Sequence, residues 1–190
     1  MQRYLVIDLE ATCDSPHNFP REQTEIIEIG AVVARADGTV ERELQTFVKP
    51  RLHPITPFCT ELTSIRPEDV ADAPDFPAAI GLLGRFVREQ SEPLLFCSWG
   101  AYDRNQLRRQ AEKANVRLPL GRDHLNLKEA FQAAETGRRR GLGSALARAG
   151  LAFEGTAHRG IDDARNIARL LPYCLGQTPL PAVSLRPPRA

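Results

Sequence analysis

Four acids and one histidine in this chain occupy positions where such groups are costly to place. Asp8 and Glu10 close the apolar run Tyr4-Leu-Val-Ile-Asp-Leu-Glu-Ala-Thr-Cys13. Asp103 follows Trp99-Gly-Ala-Tyr, and Asp163 lies five residues after His158 in His158-Arg-Gly-Ile-Asp-Asp-Ala-Arg-Asn166. A carboxylate on an apolar strand, or on the apolar stripe of a helix, is expensive to bury unless something cationic neutralises it. Four such oxygen donors with an imidazole nearby match what two magnesium ions need at a phosphodiester.

Spacing sharpens each assignment. Residues two apart on a strand share a face, so Asp8 and Glu10 project together and can reach one ion. Stepping along a helix from Asp103 reaches Leu107, Ala111 and Ala114, an inward stripe that begins at the positive end of the helix, where an anion is favoured. Of the adjacent pair, Asp162 shares its face with Arg165, Asn166 and Arg169, a polar surface suited to ion pairs. Asp163 instead continues through Asn166 and Ile167 to Leu170. The inward direction selects Asp163 as the ligand and leaves Asp162 structural. His158, on a loop ahead of that helix, is the candidate general base, since a neutral imidazole near pH 7 can take a proton from an attacking water. His17, His53 and His124 have no comparable context. Glu28 lies within the apolar segment 26–33 on the face of Ile26 and Gly30, as a support for the acids or as a partnered structural carboxylate. Gly30 on that face permits close backbone approach.

The elements that must hold these groups can be read from periodicity. Residues 3–9 form a buried strand, 25–36 a second, and Asp37-Gly38 a hairpin turn into a third over 40–49. Residues 14–24 form a surface loop. The stretch 50–73, punctuated by four prolines, is irregular with one short helix. An amphipathic helix spans 75–90, a strand 93–98, a helix 101–114, a strand edge 124–127 and a helix continuing to about 134; two more helices cover 144–149 and 161–171. The expected fold class is α/β: a mixed sheet, opening antiparallel and continuing parallel, packed by helices on both faces.

The bulk composition adds boundaries. With 190 residues and 42% hydrophobic content the chain can bury a proper core. A formal net charge of +1 means that any nucleic-acid footprint must be local. Cys13, Cys59, Cys97 and Cys174 show no metal or disulfide spacing and read as reduced thiols. No signal peptide or apolar run of about 20 residues is present, so no membrane is expected and a cytoplasmic location is. Residues 1–176 are expected to form the domain, and the proline-rich 177–190 a disordered tail.

In order along the chain, Asp8-Leu-Glu-Ala-Thr-Cys13, Ile55-Thr-Pro-Phe-Cys-Thr-Glu-Leu-Thr63, Ser98-Trp-Gly-Ala-Tyr-Asp103 and the His158-to-Asp163 spacing resemble the DEDDh branch of the 3′–5′ exonucleases, the DnaQ-like or RNase T-like group. Within it they look most like the Eri-type, histone-mRNA 3′-exonuclease subgroup, over about Tyr4 to Leu171. The resemblance implies an RNase H-like sheet and a metal-dependent exonuclease that releases nucleoside 5′-monophosphates from single-stranded 3′ ends, RNA before DNA. It implies two Mg²⁺ ions, for which Mn²⁺ can substitute. One would be held by Asp8, Glu10 and Asp163, the other by Asp8 with Asp103 through water, with His158 as base. Leu9 and Ala11 would let the backbone lie near the terminal ribose. Phe58 and Trp99 are either base-stacking surfaces or core residues, and Arg138-Arg-Arg140 is either a phosphate contact or a solvated turn. A proofreading-type DNA exonuclease and a catalytically silent nucleic-acid-binding domain are the rival readings. The nucleic-acid-binding domain appended in eukaryotic relatives is expected to be missing, since neither end has room for it.

Overall fold

The apolar run that carries Asp8 and Glu10 becomes β1 (Arg3–Ala11), the centre of a five-stranded sheet of order β3-β2-β1-β4-β5. The computed structural model describes residues 2–15, 20–135 and 140–182. β2 (Ile26–Ala34) and β3 (Val40–Phe47) run antiparallel to their neighbours, whereas β4 (Leu94–Ser98) and β5 (His124–Asn126) pair in parallel. All nine residues of β2 are buried, as expected of a strand covered on both faces. β3 is a charged edge strand, which discourages pairing with another chain.

Each face of the sheet has its own core. Leu5, Ile7 and Leu9 pack under α3 (Phe76–Arg88) and α4 (Tyr102–Ala114), against Phe76, Ile80, Leu83 and Leu107. The alternate residues Tyr4 and Val6 pack under α7 (Gly160–Ala168), against Ile161, Ala164 and Ile167. α5 (Leu127–Ala134), α6 (Leu142–Arg148) and α8 (Leu171–Cys174) extend this second layer around Phe131 and Leu146. The mixed sheet with helices on both faces is the architecture read from the sequence.

Three local expectations change. The irregular stretch 50–73 holds two short helices, α1 (Pro57–Thr63) and α2 (Pro67–Ala71), rather than one. Pro57 and Pro67 open these helices instead of breaking them, because the first helical turn needs no N–H there. The helix expected over 161–171 stops at Ala168, and α8 starts beyond it at Leu171; Pro172 has no N–H to continue the earlier ladder. Ala114, expected at the end of the inward stripe of α4, is exposed, whereas Leu107 and Ala111 are buried.

Of the expected tail, residues 177–182 touch the body: Gln177 N–H donates to the Pro172 carbonyl, Leu180 packs on the Phe131 cluster, and Arg148 donates to the Pro181 carbonyl at 2.7 Å. Residues 183–190 lie outside the described residues. No described helix is long and apolar enough to cross a membrane.

Candidate active site

Asp8 and Glu10 lie inside β1 rather than at its end. The strand runs on to Ala11, paired with β2 as Asp8↔Gly30 and Glu10↔Glu28 up to a register shift after Glu10. On its other edge, pairing with β4 ends at Val6↔Cys97, so β1 outruns its parallel neighbour. Asp103, in the first turn of α4, fills that gap by accepting the Leu9 N–H at 3.2 Å. It is buried, and it reaches the acids from the layer opposite α7.

The close approach of α7 brings in the remaining groups. A Cβ on Gly30 would overlap the backbone of Gly160 and Ile161, and one on Gly160 would come within 2.9 Å of the Asp8 carbonyl oxygen. Two glycines facing each other therefore let the start of α7 rest directly on β1 and β2. The buried Glu28 carboxylate fixes that contact. It accepts Gly160 N–H at 3.1 Å, Arg159 Nε at 3.1 Å and Gln45 Nε2 at 2.6 Å. Glu28 is thus the partnered structural carboxylate of the two alternatives, and an anion at a helix N-terminus is well placed.

From α7, Asp163 faces Glu10. His158 precedes the helix in a left-handed conformation (φ 60°), and its N–H donates to Asp163 Oδ2 at 2.9 Å. For a non-glycine residue that backbone costs about 1–3 kcal/mol and persists only where its surroundings hold it. Its exposed imidazole comes to the acids, where Glu10, His158 and Asp163 each offer an atom within 4.8 Å of the others. Asp162 turns away as its helix phase implied. It accepts Thr156 N–H at 2.9 Å and pairs with Arg165 at 2.8 Å.

The electrostatics of the cluster are those of acids awaiting a cation. Burial first, then the neighbouring Asp103, Asp163, Glu10 and Glu28, raises the Asp8 pKa well above the usual carboxylate range. Burial and Asp163 push Glu10 to about 8. Asp103 rises to about 7, chiefly through burial, although its hydrogen bonds from Leu9 N–H and the Ser98 hydroxyl oppose the shift. Asp163 rises to about 6 through burial, with His158 opposing. Among the described residues no lysine or arginine forms an ion pair with Asp8, Glu10, Asp103 or Asp163. Hard oxygen donors of this number and charge fit divalent cations such as Mg²⁺, and the imidazole beside them fits a proton acceptor.

The substrate-contact expectations divide. The side chain of Leu9 is in the core and its N–H donates to Asp103; Ala11 is half-buried. Phe58 is 38% exposed on α1, with Leu62, one turn on, 40% exposed. Trp99 is half-buried at the end of β4. It packs on Phe131 at 5.8 Å between ring centres and donates its indole N–H to the Arg140 carbonyl at 3.3 Å, so core packing accounts for much of its surface. Arg140 forms an ion pair with Glu135, which removes it as a free phosphate contact; Arg138 and Arg139 lie outside the described residues. Sequence reasoning also passed over Ser98 and Gly160, whose roles depend on distant partners. All four cysteines are free. Cys13 and Cys59 nevertheless lie side by side, and their mutual hydrogen bond lowers the Cys59 pKa to about 7 and raises that of Cys13.

Comparison with known proteins gives a consistent picture. The RNase T family model, described as Exonuclease, matches residues 5–171. The chain is 28% identical to ERI1 exoribonuclease 2 of Xenopus laevis over 87% of its own length and 27% of that protein, so it spans about a quarter of that curated relative. It is 31% identical to human ERI1 exoribonuclease 3, covering 90% of this chain and 53% of the relative. Among solved structures, the nuclease domain of 3′hExo, a DEDDh family member bound to rAMP, superposes with a TM-score of 0.83 at 25% identity, over 93% of this chain and 92% of that one.

Proposed function

Because this chain belongs to the RNase T exonuclease family, we propose that it is a 3′–5′ exonuclease that releases nucleoside 5′-monophosphates from single-stranded ends, with RNA preferred over DNA. The observation that carries the reading is the cluster of Asp8, Glu10, Asp103 and Asp163, buried or half-buried without a protein cation, with the His158 ring beside them. The exoribonuclease relatives and the rAMP-bound 3′hExo nuclease domain support RNA as substrate.

Asp8, Glu10 and Asp163 would hold one divalent ion and Asp8 with Asp103 a second, Mg²⁺ by preference with Mn²⁺ able to substitute. Such ions supply Lewis acidity to an in-line phosphoryl displacement. His158 accepts the proton of the attacking water as its oxygen bonds to the terminal phosphorus and the bond to the 3′ oxygen of the penultimate nucleotide breaks. The hold of Asp163 on the His158 N–H keeps the ring over the cluster. Glu28, through Gly160 and Arg159, keeps α7 in place and does not touch the reacting atoms.

The test is a degradation panel of end-labelled RNA and DNA, single- and double-stranded, with Mg²⁺, with Mn²⁺ and with EDTA. Stepwise loss of 5′-monophosphates from the 3′ end of single-stranded RNA, abolished by EDTA, is expected. Faster loss from matched DNA would transfer the assignment to a DNA exonuclease. Binding without turnover under every metal condition would leave a catalytically silent domain.

A further inference from the structure

At the β4–β5 edge of the sheet lies a cavity of about 190 Å³ whose charge is opposite in sign to that of the acid cluster. Arg104, Arg108 and Arg122 line it with His124, over an apolar floor of Phe96 and Leu118. Several other arginines are held by carboxylates, as Arg42 by Glu89, Arg51 by Asp75 and Arg148 by Glu135. Among the described residues none of the three cavity arginines forms an ion pair, and Asp123, next to Arg122 in sequence, is not part of the lining. Arg104 and Arg108 are one helical turn apart on α4, and Arg122 arrives from the loop before β5, so two separate elements converge on one space.

We propose that this cavity is a phosphate-binding site. Three guanidiniums lining one small space offer an anion several donors, and their planar forks match phosphate oxygens. Burial, followed by Arg104 and Arg108, lowers the His124 pKa to about 4, so the ring stays neutral and does not add a competing charge. It stacks at a tilt on Phe96, with ring centres 4.8 Å apart, and its Nε2 lies 2.9 Å from Ser98 Oγ. That same hydroxyl donates to the Gly100 carbonyl at 2.9 Å and lies next to Asp103. Asp103 and Arg104 are consecutive on α4: one faces the acids, the next the cavity.

A phosphate here has two sources, the backbone of a strand whose 3′ end lies at the acids, or a free phosphate monoester. The choice of phosphate over other anions rests on the exonuclease reading; the anion site itself does not. The test uses metal-free protein in EDTA at low salt, titrated with inorganic phosphate, with 5′-AMP and with oligonucleotides of two to eight residues. His124 ring resonances and calorimetric affinity are the readouts. Arg108→Gln/Arg122→Gln should weaken the anions that bind here about tenfold or more, whereas Asp8→Asn should leave them bound. Arg122→Gln alone, in a loop, serves if the double variant is unstable. Affinity that rises with oligonucleotide length and falls in the arginine variants assigns the site to the strand; saturable binding of phosphate and AMP with no gain from length assigns it to the free monoester. Equal binding by wild type and the arginine variants, or His124 resonances unmoved by every ligand, overturns the proposal. No turnover is involved, so failure of the exonuclease reading would be seen separately, in the degradation panel.

Discussion

Glu10 and Glu28 are directly opposite each other on adjacent antiparallel strands and are both buried, yet they are answered in different ways. Glu28 accepts hydrogen bonds from a helix N-terminus, a guanidinium and an amide, all supplied by the chain. Glu10 faces Asp163 and lies near Asp8 and Asp103, and among the described residues no lysine or arginine pairs with it. Like charges opposite each other on a sheet are destabilising. Such an arrangement endures when one acid is neutralised internally to fix the fold and, on the proposed function, the other is neutralised by a bound metal ion. The neighbours thus differ in who supplies the counter-charge.

The largest expected effect is on activity. Asp8→Asn should leave less than about a tenth of wild-type turnover at saturating Mg²⁺, since acid–base and metal contributions are typically larger than that. The melting temperature of the metal-free variant should be equal to or above wild type, because a repelling charge is gone. A stability loss like that of an ordinary buried acid would place Asp8 with Glu28. His158→Ala should slow single-turnover cleavage by roughly 10²–10⁴-fold with oligonucleotide affinity nearly unchanged; near-normal cleavage would remove it as the base.

Glu28→Gln should do the reverse. It leaves Arg159 and the start of α7 without their anion, at a cost near the lower end of about 3–5 kcal/mol because Arg159 is partly solvated. Urea unfolding measures it, and an unchanged midpoint would mean that Glu28 is as unanswered as Glu10.

The pH dependence separates the two acids further. Glu10, Asp103 and Asp163 titrate in the folded, metal-free protein near 8, 7 and 6, all above the unfolded carboxylate range. The folded state therefore holds these protons more tightly than the unfolded chain. Their contribution to stability is complete below about pH 4 and is lost as pH rises through about 6 to 8. Relative to Glu10→Gln, the wild-type metal-free melting temperature should fall between pH 5 and pH 9, and saturating Mg²⁺ should restore it. A flat difference profile would break the comparison. The smallest effect belongs to Asp162→Asn, which loses an ion pair with a half-exposed Arg165, worth less than about 1 kcal/mol, and should leave turnover almost unchanged. A large loss of turnover there would exchange the roles of Asp162 and Asp163.

What the sequence determined by itself is what local periodicity can encode. The two-residue repeat of a strand put Asp8 and Glu10 on one face, and the turn of a helix pointed Asp163 inward and Asp162 outward. The order of apolar segments gave an antiparallel opening followed by parallel pairing. The ordered motifs supplied the family resemblance. Only the tertiary structure decided what each acid meets. Glu28 proved structural because Gly160 and Arg159, 132 and 131 residues away, come to it. Trp99 is held by Phe131 and the Arg140 carbonyl, and Pro57 and Pro67 open helices, the first capped by the Thr56 hydroxyl. The cavity arginines come from separate elements that no spacing connects. The reason is physical: periodicity fixes the direction a side chain takes from its own backbone, whereas its energy and chemistry depend on partners that only the closed fold brings within reach.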